Sequence, residues 1–253
     1  MNFPSIVQSA DRPPSPRSKA LNAPVVIASD PSLLDIIERF RKLYTGLVYD
    51  VLDEMGLPHQ ALASDIRPLR PDMRLAGPAF TFQGISDAVG DPELRERRIK
   101  MFNEMRHPCI DVRDCGFDTR VAHYGEMNAT LARSKGVIGA LIDGGVRDTG
   151  HLMRMNFPVF NRYCCPVEAK GRWGYYRWQL PIQLRGALTA SVVVRPGDFV
   201  FGDFDGVLII PREQLVEVLR KSEEMEAVEN RARAEFADPN SDAEEVYRRY
   251  GKL

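Results

Sequence analysis

Two short segments of this chain carry side chains able to work together on a small anion. The first is Gly125-Glu126-Met127-Asn128; the second, some twenty residues on, is Asp143-Gly-Gly-Val-Arg147-Asp148. An arginine grips a carboxylate with a planar two-point fork. An aspartate beside it can hold a hard cation such as Mg²⁺, with water filling the rest of the shell. Glycines let backbone come close to a ligand. A helix starting just after Gly125 would add unpaired N–H groups, which favour an anion. Together these parts suit a 2-oxo carboxylate chelated to a metal ion. The competing reading makes Arg147 and Asp148 a surface ion pair, or a cap on the next helix.

The elements around these segments must place them. Val137 to Ile142 is an unbroken apolar run, the mark of a strand buried on both faces. Gly144-Gly145 reads as a tight turn after it. Arg147 and Asp148 then fall beyond the carboxyl end of a buried strand, where open α/β sheets bind ligands. Gly125 to Lys135 reads as a helix, with Met127, Leu131 and Ala132 on one side and Gly136 as its stop. Thr149 to Met155 reads as a short helix, and Pro158 to Phe160 as a strand.

Upstream, Pro31 to Phe40 has helical apolar spacing, with Asp30 placed as a cap. A second helix, Gly46 to Glu54, has Thr45 as its cap, Val48, Val51, Leu52 and Met55 as its buried face, and Gly56 as its stop. Leu75 to Phe82 alternates towards a strand, Glu93 to Met105 is helical, and His107 to Arg113 is a strand. Downstream, Ala190 to Val194, Phe199 to Gly202 and Val207 to Ile210 are strands separated by the turns Arg195-Pro-Gly-Asp198 and Asp203-Phe-Asp-Gly206. A long charged helix runs from Arg212 to about Phe236, with Leu215, Val218, Leu219 and Met225 at core spacing. A short helix ends the chain over Asp242 to Tyr250. The pattern is α/β with a mixed sheet in one domain.

Composition removes several function classes. With 253 residues, 44% apolar and 27% charged, the chain can bury a sizeable core. A net charge of −1 gives no reason to expect nucleic acid or an anionic membrane as partner. No apolar run reaches bilayer-spanning length, and the expectation is a cytoplasmic protein. Residues 1–30 are Pro- and Ser-rich and read as a flexible arm preceding a domain over 31–253. Cys109, Cys115, Cys164 and Cys165 have neither disulfide-framework nor zinc-finger spacing, which points to reduced thiols. His107, His123 and His151 lack metal-ligand spacing and read as structural.

The segment Gly136-Val-Ile-Gly-Ala-Leu-Ile-Asp-Gly-Gly-Val-Arg-Asp148 resembles the RraA-like family, which includes 4-hydroxy-4-methyl-2-oxoglutarate/4-carboxy-4-hydroxy-2-oxoadipate aldolases. Leu43-Tyr-Thr45 with Asp50-Val-Leu52, Ile66-Arg-Pro68 with Leu75-Ala-Gly-Pro-Ala79, and Arg195-Pro-Gly-Asp198 with Gly202-Asp-Phe-Asp-Gly-Val207 agree with it in order and spacing. The resemblance covers roughly residues 33–250. It implies a swivelling β/β/α-type α/β fold with a long C-terminal helix, trimers or hexamers, and a site between subunits. It further implies a divalent-metal-dependent lyase that breaks a C–C bond of a small anionic 2-oxo acid, by retro-aldol cleavage or oxaloacetate-type decarboxylation to pyruvate.

In that reading Asp148 anchors the metal, Mg²⁺ or Mn²⁺. Arg147 stabilises the enolate oxygen, Glu126 orients water or adds a ligand, and Gly125, Met127 and Asn128 cradle the substrate together with Arg147. Glu126 stands where the family's aldolases usually carry Asp, and Glu229 where an acidic residue often reaches a neighbouring subunit. Two alternatives remain: a metal-dependent hydrolase or dehydratase of a sugar acid or lactone, and a non-catalytic regulator of ribonuclease activity. Trp173, Tyr175, Tyr176 and Trp178 either line a substrate pocket or pack a subunit interface.

Overall fold

The computed structural model describes residues 31–86 and 93–251. The arm assigned to residues 1–30, and Asp30 as a cap, lie outside the described residues. Helices α1 (Pro31–Phe40) and α2 (Thr45–Glu54) come first, followed by strands β1 (Arg67–Pro68) and β2 (Leu75–Ser86). Then come α3 (Leu94–Glu104), β3 (Cys109–Asp114), β4 (Ala122–Tyr124), α4 (Glu126–Ser134), β5 (Val137–Val146) and α5 (Thr149–Arg154). Next are β6 (Val159–Cys164), β7 (Trp173–Trp178), β8 (Ile182–Arg185), β9 (Ser191–Val194), β10 (Phe199–Asp203) and β11 (Gly206–Ile210). The long α6 (Leu215–Phe236) and the short α7 (Ala243–Tyr250) close the fold.

The main sheet runs β1-β6-β5-β3-β2-β10-β11, with β4 added beside β5 and β7 beside β2. Its centre is parallel: β2, β3, β5 and β6 point the same way. Its margins are antiparallel, through β1, β7, β10 and β11. The sheet is therefore mixed, as expected. Helices pack against the parallel strands because crossovers between such strands must return over a face. One apolar cluster joins α3, α4 and α5 to one face; a second lies beneath the β8–β9 hairpin. A third binds α1, α2 and α6 to β10 and β11. No helix among the described residues is long and apolar enough to cross a membrane.

Several local readings need correction. Strand β2 does not alternate: Leu75 to Phe82 is buried throughout, because both faces are covered. Helix α2 begins at Thr45, and Thr45 does not cap it. Its hydroxyl donates to Asp203 Oδ1 at 2.6 Å and its N–H to Oδ2 at 2.8 Å, tying α2 to the end of β10. Met55 is only half-buried, while Val48, Val51 and Leu52 face the core. Gly144 and Gly145 form no turn; they are part of β5. A β-carbon at Gly145 would sit 2.4 Å from the Tyr163 ring, and one at Gly144 2.5 Å from His123 Nδ1. The glycines are there for close packing within the strand.

A buried ion pair lies under the site end of the sheet. Arg113 and Asp111 are both fully buried, joined by Nε–Oδ1 at 3.0 Å and Nη2–Oδ2 at 2.7 Å. Arg113 also donates to the Tyr175 hydroxyl and the His123 carbonyl, and its guanidinium lies 4.5 Å from the Tyr124 ring centre. Removing one partner of such a pair costs about 3–5 kcal/mol, since the other is left as a bare buried charge.

Candidate active site

Strand β5 delivers Arg147 and Asp148 to the carboxyl end of the parallel strands. The Arg147 N–H donates to Tyr124 O at 2.9 Å, which fixes the chain as it leaves the sheet. Asp148 then takes a left-handed backbone, φ 58°, and occupies the position before α5. Its side chain makes no capping bond there. Instead Oδ2 turns back across to α4 and accepts from the Glu126 N–H at 3.3 Å. The helix-cap reading of Asp148 is thus set aside.

Gly125 is the surface these two side chains lie against. A β-carbon there would come 2.6 Å from Asp148 Oδ2 and 3.2 Å from Arg147 Cγ. Its backbone is extended, so only this close approach demands glycine. Around Arg147 stand two carboxylates: Asp148 Oδ2 is 3.7 Å from Nε, and Glu168 Oε1 is 3.8 Å from Nη2. Both are attractive, yet both exceed hydrogen-bond length. The guanidinium therefore lies in a negative field with its fork open. Asp148 Oδ1 likewise meets no donor among the described residues.

The other expected residues divide. The Glu126 carboxylate accepts from the Thr130 hydroxyl at 2.7 Å, one turn along α4. Met127 is exposed on the first turn of α4. Asn128 faces inward: Oδ1 accepts from Arg98 at 2.6 Å and from the Tyr175 hydroxyl at 3.3 Å, and its N–H closes onto Gly125 O. Asp143 sits lower on β5 as a brace, accepting from Arg185 N and Arg162 Nη1. Burial raises its carboxyl pKa, against the pull of the Arg185 N–H and Arg162.

His123 supports the strand from beneath. Its Nδ1 accepts from the Gly145 N–H at 3.0 Å, and Nε2 lies 3.6 Å from Asp118 Oδ1. Burial pushes its pKa down to about 4, against the pull of Asp118, so the ring is neutral at ordinary pH. The structural reading of His123 fits this placement.

Glu168 has no sequence signal of its own, being one charged residue in an aperiodic segment. An isolated bridge between Ala122 and Glu168 brings it to the site. The aromatic residues of that segment divide. Trp173 and Tyr175 are buried within their own chain, and Trp173 Nε1 donates to Cys115 O at 3.1 Å. Trp178 Nε1 donates to Glu104 at 2.5 Å, and Tyr176 is exposed. Glu229 lies between α6 and α2, held by the Tyr44 hydroxyl and by Arg233 at 2.7 Å. Burial and then Glu229 raise the Tyr44 pKa to about 12.

No cluster of three or more His, Cys, Asp or Glu side chains among the described residues is poised to hold a metal. A cation such as Mg²⁺ needs only one or two carboxylates, because water and substrate fill its other positions. Asp148, with a free oxygen and 41% side-chain exposure, is the carboxylate that fits.

An open arginine fork and a free aspartate oxygen thus stand together at the carboxyl end of a central strand of an α/β fold, beside a helix N-terminus. Residues 45–209 match the family model described as RraA-like, Aldolase/RraA, and the chain belongs to that family. A Halalkalibacterium halodurans protein, provisionally named a 4-hydroxy-4-methyl-2-oxoglutarate aldolase, is 33% identical over 77% of this chain and 85% of its own length. The Thermus thermophilus protein named 4-hydroxy-4-methyl-2-oxoglutarate aldolase is 32% identical over 39% of this chain and 56% of its own. Among solved structures, one titled as novel cellulases from microbes of the gut ecosystem aligns with TM-score 0.73 and 36% identity, over 78% and 86% of the two chains. Streptomyces coelicolor RraAS2, titled an unusual member of the RNase ES inhibitor RraA family, aligns with TM-score 0.69 and 20% identity over 81% and 98%. At that identity the likeness speaks for the fold.

Proposed function

We propose that the protein is a divalent-metal-dependent lyase that cleaves a C–C bond of a small 2-oxo acid and releases pyruvate. The observation that carries this reading is the open fork of Arg147, held against Gly125 beside the free oxygen of Asp148. The names of the Halalkalibacterium and Thermus relatives support it. A bound Mg²⁺ or Mn²⁺ would supply Lewis-acid polarisation of the 2-oxo group, with Asp148 as its protein ligand.

The side chains do the rest. Arg147 pairs with the substrate's oxygens, and its fork meets the charge that collects on the 2-oxo oxygen as the bond breaks. In a retro-aldol cleavage the 4-hydroxyl loses its proton, the C3–C4 bond breaks, and its electron pair becomes the pyruvate enolate. Protonation at C3 completes the product. In decarboxylation the departing carboxylate leaves as CO₂ and the same enolate forms. Glu126, whose N–H bonds Asp148 Oδ2, positions the water that carries the proton. At the start of α4 the Glu126 N–H is taken by Asp148 Oδ2, which holds that carboxylate against the helix N-terminus. Assembly in threes, which would set neighbouring subunits around the site, forms part of the proposal and is read from the mass by light scattering.

The cellulase title carries less weight here. That title says nothing of a 2-oxo acid, whereas the names of the Halalkalibacterium and Thermus relatives do. The test is direct. The protein is incubated with 4-hydroxy-4-methyl-2-oxoglutarate or oxaloacetate, with Mg²⁺ or with EDTA, and pyruvate is followed through lactate dehydrogenase. Mg²⁺-dependent pyruvate release is expected; its absence with both substrates at saturating metal overturns the reading.

A further inference from the structure

At the opposite end of β5, where the strand begins, lies a recess of about 520 Å³. Arg41, Arg70, Arg74, Arg133 and His107 line it, and Asp72 is its one acidic residue. The chain as a whole has 34 basic and 35 acidic residues, so four arginines to one aspartate is a local surplus of positive charge. Part of that surplus has a structural use. Arg70 donates to Met153 O, Arg133 to Met155 O, and Arg74 to Leu43 O at 2.6 Å. Two of those carbonyls lie at the end of α5, where basic groups are favoured.

That use takes up one nitrogen, Nη1, of each guanidinium. Arg70 spends two more on Asp72, and Arg41 is paired with Glu38. Arg74 and Arg133 meet no carboxylate among the described residues. Each is therefore anchored by a backbone carbonyl while Nε and Nη2 stay open. Two anchored, unneutralised guanidinium groups lining one recess match a doubly charged tetrahedral oxyanion, which accepts from several forks at once. A lone carboxylate would neutralise only one of them.

We propose that this recess is a second anion site, which binds a phosphoryl group between Arg74 and Arg133. It is separate from the Arg147 site: the ten residues of β5 stand between them, about 30 Å of extended chain. The ligand is free phosphate or a phosphate monoester, and the two are separated by the probe.

The experiment is calorimetric titration of the full chain with inorganic phosphate and with glycerol 3-phosphate, in metal-free buffer at fixed ionic strength. Saturable binding is expected, weakened about tenfold or more by Arg133→Gln and by Arg74→Gln, and retained in Arg147→Ala. Tighter binding of the ester identifies an ester ligand; equal or weaker binding identifies free phosphate. Arg133 is exposed on α4, so Arg133→Gln keeps the test decisive if Arg74→Gln does not fold. Absence of saturable binding in the wild type overturns the proposal, as does loss of binding in Arg147→Ala with retention in Arg133→Gln.

Discussion

Gly125→Ala tests the site without removing any charged or catalytic group. The extended backbone at Gly125 accepts alanine, so the perturbation is the added methyl alone. That methyl would stand 2.6 Å from Asp148 Oδ2 and 3.2 Å from Arg147 Cγ. Nonbonded heavy atoms settle at about 3.5 Å or more, so the Asp148 carboxylate must withdraw by about 1 Å. A misplacement of that size costs on the order of 10²-fold in rate. The cost to folding is smaller. Alanine in place of glycine before a helix loses about 0.5–1 kcal/mol, or about 1–4 °C in a domain of this size. The assay pairs kcat/KM for pyruvate release at saturating Mg²⁺ with a melting curve on the same sample. A hundredfold loss of turnover with a nearly unchanged melting temperature is expected. Wild-type kcat/KM in the variant refutes the reasoning, because the two groups crowding Gly125 would then have no part in the chemistry.

Three further outcomes are expected. Arg147→Lys keeps the charge but loses the fork, so kcat/KM falls at least about tenfold, and Arg147→Ala about a hundredfold; normal kinetics in Arg147→Ala remove the residue from the mechanism. Asp148→Asn abolishes the Mg²⁺-dependent rate while circular dichroism and melting temperature stay near wild type; full activity in metal-saturated buffer sinks the assignment. His123 is held neutral by burial, with a folded pKa of about 4 against 6.5 when exposed. The unfolded chain therefore takes up this proton first as pH falls, and stability present above about 6.5 is lost down to about 4. His123→Asn, which keeps an acceptor for the Gly145 N–H, flattens the fall in melting temperature across that window; an unchanged slope contradicts the cause.

The parts of the fold legible in the sequence are those fixed by local pattern. The apolar run that becomes β5, the start of α4 at Gly125, the stop at Gly136 and the long α6 all follow from periodicity and glycine placement. Arg147 and Asp148 were legible as a pair at a strand end for the same reason. What escaped depends on partners distant in the chain. Thr45 looks like a cap until Asp203, 158 residues away, claims its hydroxyl. Gly144 and Gly145 look like a turn until His123 and Tyr163 are packed against them. Strand β7 escaped because Trp173, Gly174 and Tyr175 are buried in succession and its pairing with β2 shifts register at Gln83/Gly84, so no alternation shows. Glu168 escaped because its place follows from that bridge to Ala122 and from nothing in its neighbours.

The crowding at Gly125, Gly144 and Gly145 bears on how such a protein can diversify. At each of these positions a single added carbon collides with a site group or with the packing beneath it, so the floor of the site has almost no mutational freedom. The rim is different. Met127 is 69% exposed and the Glu168 side chain 56%, and neither is needed to hold a strand or helix in place. On the proposed function, substitutions at the first turn of α4 and in the loop bearing Glu168 are the ones expected to change substrate preference while leaving the floor's packing intact.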